Sequence, residues 1–131
     1  MKILITGGSG FIGRSLIKAF KEDYDVFAPS SKELDLTNSY DVEKYLQNKY
    51  FDWVIHCAID GGKRIVDDKA DVAYNNLKMF FNLMNSKDRF DKFINFSSGA
   101  EFNKITAING NSNNLLTSYP TDPYGMSKNI I

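Results

Sequence analysis

The chain has 131 residues, 43% hydrophobic and 24% charged, and its 16 Lys and Arg balance 16 Asp and Glu. That length allows one ordinary domain, able to bury about two thirds of its unfolded surface. With no net charge and no block of Lys or Arg, the chain lacks the broad attraction that nucleic acid or an anionic membrane requires, so neither is an expected partner.

The first apolar run, Ile3-Leu4-Ile5, is too short for a signal peptide or a membrane span. The single cysteine, Cys57, forms no internal disulfide and builds no metal site alone. These features predict a cytoplasmic protein without a metal.

Along the chain, short apolar runs alternate with segments of helical period. Ile3-Leu4-Ile5, Asp25-Val26-Phe27-Ala28, Trp53-Val54-Ile55-His56-Cys57 and Phe93-Ile94-Asn95-Phe96 read as strands covered on both faces. Between the first two, Ile12, Ser15, Leu16, Ala19 and Phe20 recur at helical spacing and predict a first helix packed on the sheet. Asn38 or Ser39 is suited to cap a second helix whose Val42, Tyr45 and Leu46 share a face. A third helix is expected near Ala70, Ala73, Leu77, Phe80, Phe81 and Met84, with its last three aromatic and Met side chains in the core. Parallel neighbours need long crossover connections, so this alternation predicts an α/β fold, a doubly wound parallel sheet of Rossmann type. From Gly99 to Asp122 the pattern dissolves into a stretch with Asn103, Asn109, Asn111, Asn113 and Asn114, long enough to be a functional loop or a disordered one. Pro123-Tyr124 then looks like a helix start.

Thr6-Gly7-Gly8-Ser9-Gly10-Phe11-Ile12-Gly13 lies between the first strand and the first helix. There a dinucleotide pyrophosphate meets backbone N–H groups and a helix N-terminus. Glycines make the turn tight, leave room for the pyrophosphate, and at Gly13 let helix and strand approach closely. The alternatives are a plain glycine-rich turn and a phosphate-binding P-loop. The P-loop fails because Arg14 stands where its Lys belongs and because the later strand ends in His56-Cys57-Ala58 with no aspartate for magnesium. After the second strand come Pro29-Ser30-Ser31-Lys32, without the acid that holds a ribose 2'-hydroxyl. With Arg14 and Lys32 near, the reading is NAD or NADP, leaning to NADP.

Tyr124-Gly125-Met126-Ser127-Lys128 places a phenol and an ammonium on one helix face. A free phenol is a poor acid or base at neutral pH, and a neighbouring cation favours its ionised form. Ser98, in Ser97-Ser98-Gly99, stands at the carboxyl end of the fourth strand, the edge where such sheets bind ligands. Each has a plainer reading: an exposed pair on a surface helix, and a turn serine serving its own loop.

These residues together resemble the extended short-chain dehydrogenase/reductase family of NAD(P)-dependent nucleotide-sugar epimerases, dehydratases and reductases. Thr6-Gly7-x-x-Gly10-x-x-Gly13, Ser97-Ser98-Gly99-Ala100-Glu101-Phe102 and Tyr124 to Lys128 match its T-G-x-x-G-x-x-G, S-S-x-x-x-[FY] and Y-x-x-x-K. The resemblance implies a catalytic set of Ser98, Tyr124 and Lys128. It also implies a cofactor site of Gly7, Gly10, Phe11, Ile12, Gly13, Asp35, Leu36, Cys57, Ala58, Asn75, Tyr124 and Lys128. Within it, Asp35-Leu36 would touch adenine, Cys57-Ala58 would line the groove, and Asn75 would support the active site from its helix. It implies a nucleotide-sugar substrate and a possible homodimer. It covers only the amino-terminal portion of such enzymes. Residues 1–131 are therefore expected to form a partial NAD(P)-binding domain, with the substrate-binding C-terminal part absent. A competing reading is a non-catalytic dinucleotide-binding module, or an inactive fragment of such an enzyme. A third is a structural domain of the same fold without a ligand.

Overall fold

The computed structural model describes residues 1–63, 66–102 and 119–131. The elements are β1 (Lys2–Thr6), α1 (Phe11–Phe20), β2 (Asp25–Phe27), α2 (Ser39–Leu46), β3 (Phe51–His56), α3 (Val72–Met84), β4 (Phe90–Asn95) and α4 (Pro123–Ile130). Tight helical turns occupy Lys87–Arg89 and Gly99–Glu101. The asparagine-rich stretch from Asn103 to Asn114 lies outside the described residues. No helix among the described residues is long and apolar enough to cross a membrane.

The chain divides into two units. The first comprises Met1–Ile59 and Lys78–Phe96, the second Asp60–Leu77 and Ser97–Ile131. In the first, the strands form one sheet in the order β2-β1-β3-β4 with every pairing parallel. Alternate residues of the central strands face opposite layers. Leu4 and Val54 join Val42, Leu46, Met79 and Leu83 in one apolar cluster, while Ile3, Ile5 and Ile55 pack against Leu16, Ile17 and Phe20 on the other side. The central strands β1 and β3 are thus covered on both faces, whereas in the edge strand β2 Asp25 and Phe27 are exposed and Val26 is half-buried.

β3 and β4 begin earlier than their apolar runs suggest, whereas β2 begins at Asp25 as expected. β3 and β4 each include an acid near their start, and Phe51 pairs with Phe90 ahead of the expected first residues. Those phenylalanines are buried and carry the strands past Asp52 and Asp91. The acids themselves find donors at the sheet margin: the Lys2 N–H donates to Asp52 at 2.5 Å and the Tyr50 hydroxyl to Asp91 at 2.5 Å. In β4 only Phe90 is buried, Phe93 and Asn95 are half-buried, and Asp91, Lys92 and Ile94 are exposed, so this strand is not covered throughout.

Two helix faces differ from expectation. On α1 the inward residues are Gly13, Leu16, Ile17 and Phe20, whereas Ile12, Ser15 and Ala19 are exposed. The helix is turned by about one residue, roughly 100°, because Gly13 must face the preceding turn. On α3 the buried positions are Val72, Asn76, Met79, Asn82 and Leu83, while Phe81 is exposed and Phe80 and Met84 are half-buried. A count of apolar residues turns the asparagines outward, yet both reach inward to bond backbone. The Asn82 side chain donates to the Leu36 carbonyl at 2.8 Å. The second helix follows expectation: the Asn38 side chain caps the N–H groups of Tyr40 and Asp41, and Val42 and Leu46 are buried.

Leu83 is fully buried and Phe81 is 52% exposed. Leu83→Ala is expected to lower stability by about 2–5 kcal/mol. Phe81→Ala is expected to lower it by about 1 kcal/mol or less. Urea unfolding midpoints measure both, and equal costs would place α3 in another orientation.

Candidate functional site

From β1 the chain moves outward to β2 and then returns to β3 on the other side of β1. The carboxyl ends of β1 and β3 therefore flank the switch point where open parallel sheets bind ligands. Thr6 and His56 are the last paired residues there, followed by Gly7 and by Cys57-Ala58. Gly7 adopts a left-handed backbone at φ 69°, and a Cβ on it would stand 2.5 Å from the Ala58 nitrogen. Only glycine satisfies both demands. Gly10 donates to the Gly7 carbonyl at 3.0 Å and opens α1 without any side-chain cap or first-turn acid. A Cβ at Gly13 would lie 2.3 Å from the Gly7 oxygen. The first-turn N–H groups, which include those of Phe11, Ile12 and Gly13, lack intrahelical acceptors. The turn is a cradle of backbone donors with no Cβ at its closest points, which fits a pyrophosphate.

Buried side chains hold this cradle. The Thr6 hydroxyl and His56 Nδ1 are 2.8 Å apart, and Thr6 Oγ1 accepts the Ala58 N–H at 3.3 Å. His56 is buried beside the Phe93 ring, in keeping with a packed strand residue. Cys57 is half-buried, and its N–H donates to the Thr6 carbonyl.

Beyond β2, Glu33 directly follows Pro29-Ser30-Ser31-Lys32 and is an acid that the expected cofactor segment did not include. The N–H and hydroxyl of Ser30 both donate to Glu33 at 2.8 Å. Ser30-x-x-Glu33 has the spacing of a capping box, the signal that could have found it. These donors hold the Glu33 carboxyl below its usual 4.5, the backbone bond contributing most. Arg14 and Lys32 are exposed. Asp35 accepts from the Thr37 N–H and hydroxyl, and the Leu36 side chain belongs to the core.

In the second unit, Asp122 caps α4 by accepting the Gly125 N–H at 2.8 Å, with Pro123 in the first turn. Gly125 is buried, and a Cβ there would meet the Ala100 oxygen at 2.5 Å. This lets α4 lie directly on the turn Gly99–Glu101, whose cap is Ser98: Ser98 Oγ accepts the Ala100 N–H at 3.2 Å. Ser98 and Tyr124 thereby line one cavity of about 480 Å³, with Gly62 and Asp68 among its other walls. Lys128 follows Tyr124 by one helical turn and is 9% exposed, so the pair is no loose surface couple. Asn75 donates to the Asp60 carboxylate at 3.0 Å, while its neighbour Asn76 is the buried one. The Gly61-Gly62 turn, both residues left-handed, escaped the sequence reading although a Gly-Gly pair signals such a turn. Among the described residues, no group of three or more His, Cys, Asp or Glu is placed to hold a metal ion.

A parallel sheet wound on both faces, with an uncapped glycine turn at its switch point and Ser98 and Tyr124 at one cavity, defines an α/β protein of dinucleotide-binding type. The chain belongs to the NAD dependent epimerase/dehydratase family, which it matches over residues 3–131. It is 35% identical over 106 residues to a GDP-L-fucose synthase of Azorhizobium caulinodans, a match covering 77% of this chain and 34% of that protein. The chain thus spans about a third of that relative's length. A dTDP-4-dehydrorhamnose reductase from Clostridium acetobutylicum superposes with a TM-score of 0.80 at 27% identity, over 98% of this chain and 46% of that one. The fold is also that of a Campylobacter jejuni GDP-mannoheptose C4 reductase with NADP bound, with a TM-score of 0.84 at 22% identity over 98% of this chain and 44% of that one.

Gly13→Ala is expected to destabilise the chain by about 1–3 kcal/mol, since the obstructing atom is backbone. Gly99→Ala, where a Cβ meets nothing within 4 Å, should be nearly neutral. Thermal unfolding of both variants tests the close approach. For Glu33, the lowered value means its stabilising contribution is present above the unfolded carboxyl value and is lost as pH falls through the folded one. The Ser30 amide resonance should accordingly titrate with a midpoint below 4.5. A midpoint at or above that value would remove the Ser30–Glu33 bonds from solution.

Proposed function

We propose that the protein is an NAD(P)-dependent enzyme of nucleotide-sugar metabolism that transfers hydride at a sugar carbon, by reduction, epimerisation or dehydration. The observation that carries this reading is the shared cavity of Ser98 and Tyr124, with Lys128 one turn along the same helix, in a chain of this family. Tyr124 exchanges a proton with the sugar oxygen, Ser98 hydrogen-bonds that oxygen, and Lys128 supplies the cation one helical turn along. A nicotinamide dinucleotide, when bound, supplies or accepts the hydride.

The residues that would hold it are Gly7, Gly10, Phe11, Ile12 and Gly13 at the pyrophosphate, Cys57 and Ala58 along the groove, Asp35 and Leu36 toward adenine, and Asn75, Tyr124 and Lys128 toward the nicotinamide end. Since the Leu36 side chain is buried and the Asp35 carboxylate already serves Thr37, backbone atoms are what that segment offers adenine. We infer a preference for NADP: Glu33 is turned onto Ser30, while Arg14 and Lys32 are exposed cations suited to a 2'-phosphate. The exposed Tyr74 and Phe81 of α3 and Met126 and Ile130 of α4 support a homodimer built on those helices. The lone thiol supports a reducing, cytoplasmic setting.

Titration calorimetry against NAD, NADH, NADP and NADPH is expected to show binding, tighter for the phosphorylated pair. In the full-length protein, Tyr124→Phe should cut turnover of a GDP-4-keto sugar with NADPH by about a hundredfold or more, with dinucleotide affinity nearly unchanged. Binding combined with turnover indifferent to Tyr124→Phe would favour a dinucleotide-binding module over this catalytic assignment.

A further inference from the structure

Asp68 is half-buried and lines the cavity of about 480 Å³ that Ser98 and Tyr124 share. Its Oδ1 accepts the Gly62 N–H at 2.8 Å. A Cβ on Gly61 would stand 2.5 Å from that oxygen and 2.7 Å from Val72 Cγ1, so the carboxylate is pressed against the bare backbone of the turn. Only one oxygen is committed in this way: among the described residues Oδ2 has no partner. A carboxylate accepts and never donates, so the second oxygen is a fixed acceptor at the wall of the cavity.

Gly62 stands between this acceptor and the phenol. Its N–H holds Asp68, and a Cβ on it would stand 2.9 Å from Tyr124 Cε2. The carboxylate and the ring edge are thus a single glycine apart, a separation that one pyranose ring bridges. A sugar oxygen at Tyr124 therefore brings the hydroxyl of the adjacent carbon towards Asp68. The charge of the wall points to the same occupant. Asp67 and Asp122 line the cavity beside Asp68, against the ammonium of Lys63 among the described residues, and an excess of negative charge repels a diphosphate. A neutral sugar enters without that repulsion, and a hydroxyl that donates to a carboxylate makes a strong, charge-assisted hydrogen bond.

We propose that Asp68 is a specificity-determining residue: it accepts a hydrogen bond from the sugar hydroxyl beside the reacting carbon, with the ring inside the cavity and the diphosphate outside. The inference rests on the reading of Ser98 and Tyr124 as the groups that meet the sugar oxygen. A site built to bond a hydroxyl also discriminates against the analogue that lacks it, because the acceptor is then left without a donor.

The test compares two substrates of the full-length protein with NADPH, a GDP-4-keto-6-deoxyhexose that carries a hydroxyl at C3 and its 3-deoxy counterpart. The wild type is expected to favour the hydroxylated sugar by about 10- to 100-fold in kcat/KM. Asp68→Ala should bring the two sugars within about threefold of each other, through loss on the hydroxylated one, with NADPH affinity unchanged. Asp68→Asn keeps an acceptor for the Gly62 N–H and turns a donor into the cavity. Its preference should fall between those of the wild type and Asp68→Ala, and it decides if Asp68→Ala fails to fold. A purely structural role would slow both sugars alike and leave their ratio at the wild-type value. That result, or a wild type indifferent to the C3 hydroxyl, would overturn the proposal. If the wild type binds NADPH and reduces neither sugar, the catalytic reading of Ser98 and Tyr124 fails first, and the specificity assignment with it.

Discussion

Backbone meets backbone between Gly7 and Gly13, and much of the first unit follows from that contact. With any side chain at Gly13, α1 could not approach the end of β1, since the obstruction would be the Gly7 carbonyl oxygen at 2.3 Å. The approach sets the rotation of α1 about its axis. Once Gly13 points inward, Leu16, Ile17 and Phe20 must follow and pack on Ile3, Ile5 and Ile55, while Phe11 and Ile12 are left exposed at the helix start. A single steric limit thereby determines the packing of one sheet face and the presentation of the first-turn amides.

Apolar burial makes the two layers compact, but the polar groups inside them decide which loops go where. Thr6 and His56 join the ends of the central strands, Asn82 holds the Leu36 carbonyl, and Asn76 holds Asp60. Leaving any of these groups unmade inside the protein would cost about 1–3 kcal/mol. Each such bond therefore excludes alternative placements that hydrophobic contact alone would tolerate.

The helix that carries Tyr124 has eight residues, too few to be stable by its own propensity. It is held instead by the Asp122 cap, by the close seat of Gly125 on Ala100, by the Asn129 bond to the Glu101 carbonyl, and by the burial of Ser127 and Lys128. Y-x-x-x-K is therefore more than a spacing. The intervening Gly125 and Ser127 are the positions through which the helix is fastened, and Tyr124 and Lys128 are carried along with it.

The α/β alternation, the glycine turn, the Asn38 cap and the order of the Ser and Tyr motifs were legible in the sequence, because each is a local matter of period, backbone freedom or adjacency along the chain. The strand order was not, nor the rotation of α1, nor the inward turn of Asn76 and Asn82 that left Phe81 at the surface. The attachment of Glu33 to Ser30 is written in a recognisable spacing, whereas the burial of Asn76 and Ser127 has no local signature. A buried amide looks like an exposed one until its partners are known. By itself, the sequence determined which segments become strands and helices and where glycines leave the backbone bare between β1 and α1. Tertiary structure alone decided which polar side chains turn inward, because that choice depends on unpaired donors and acceptors that distant segments bring to meet them.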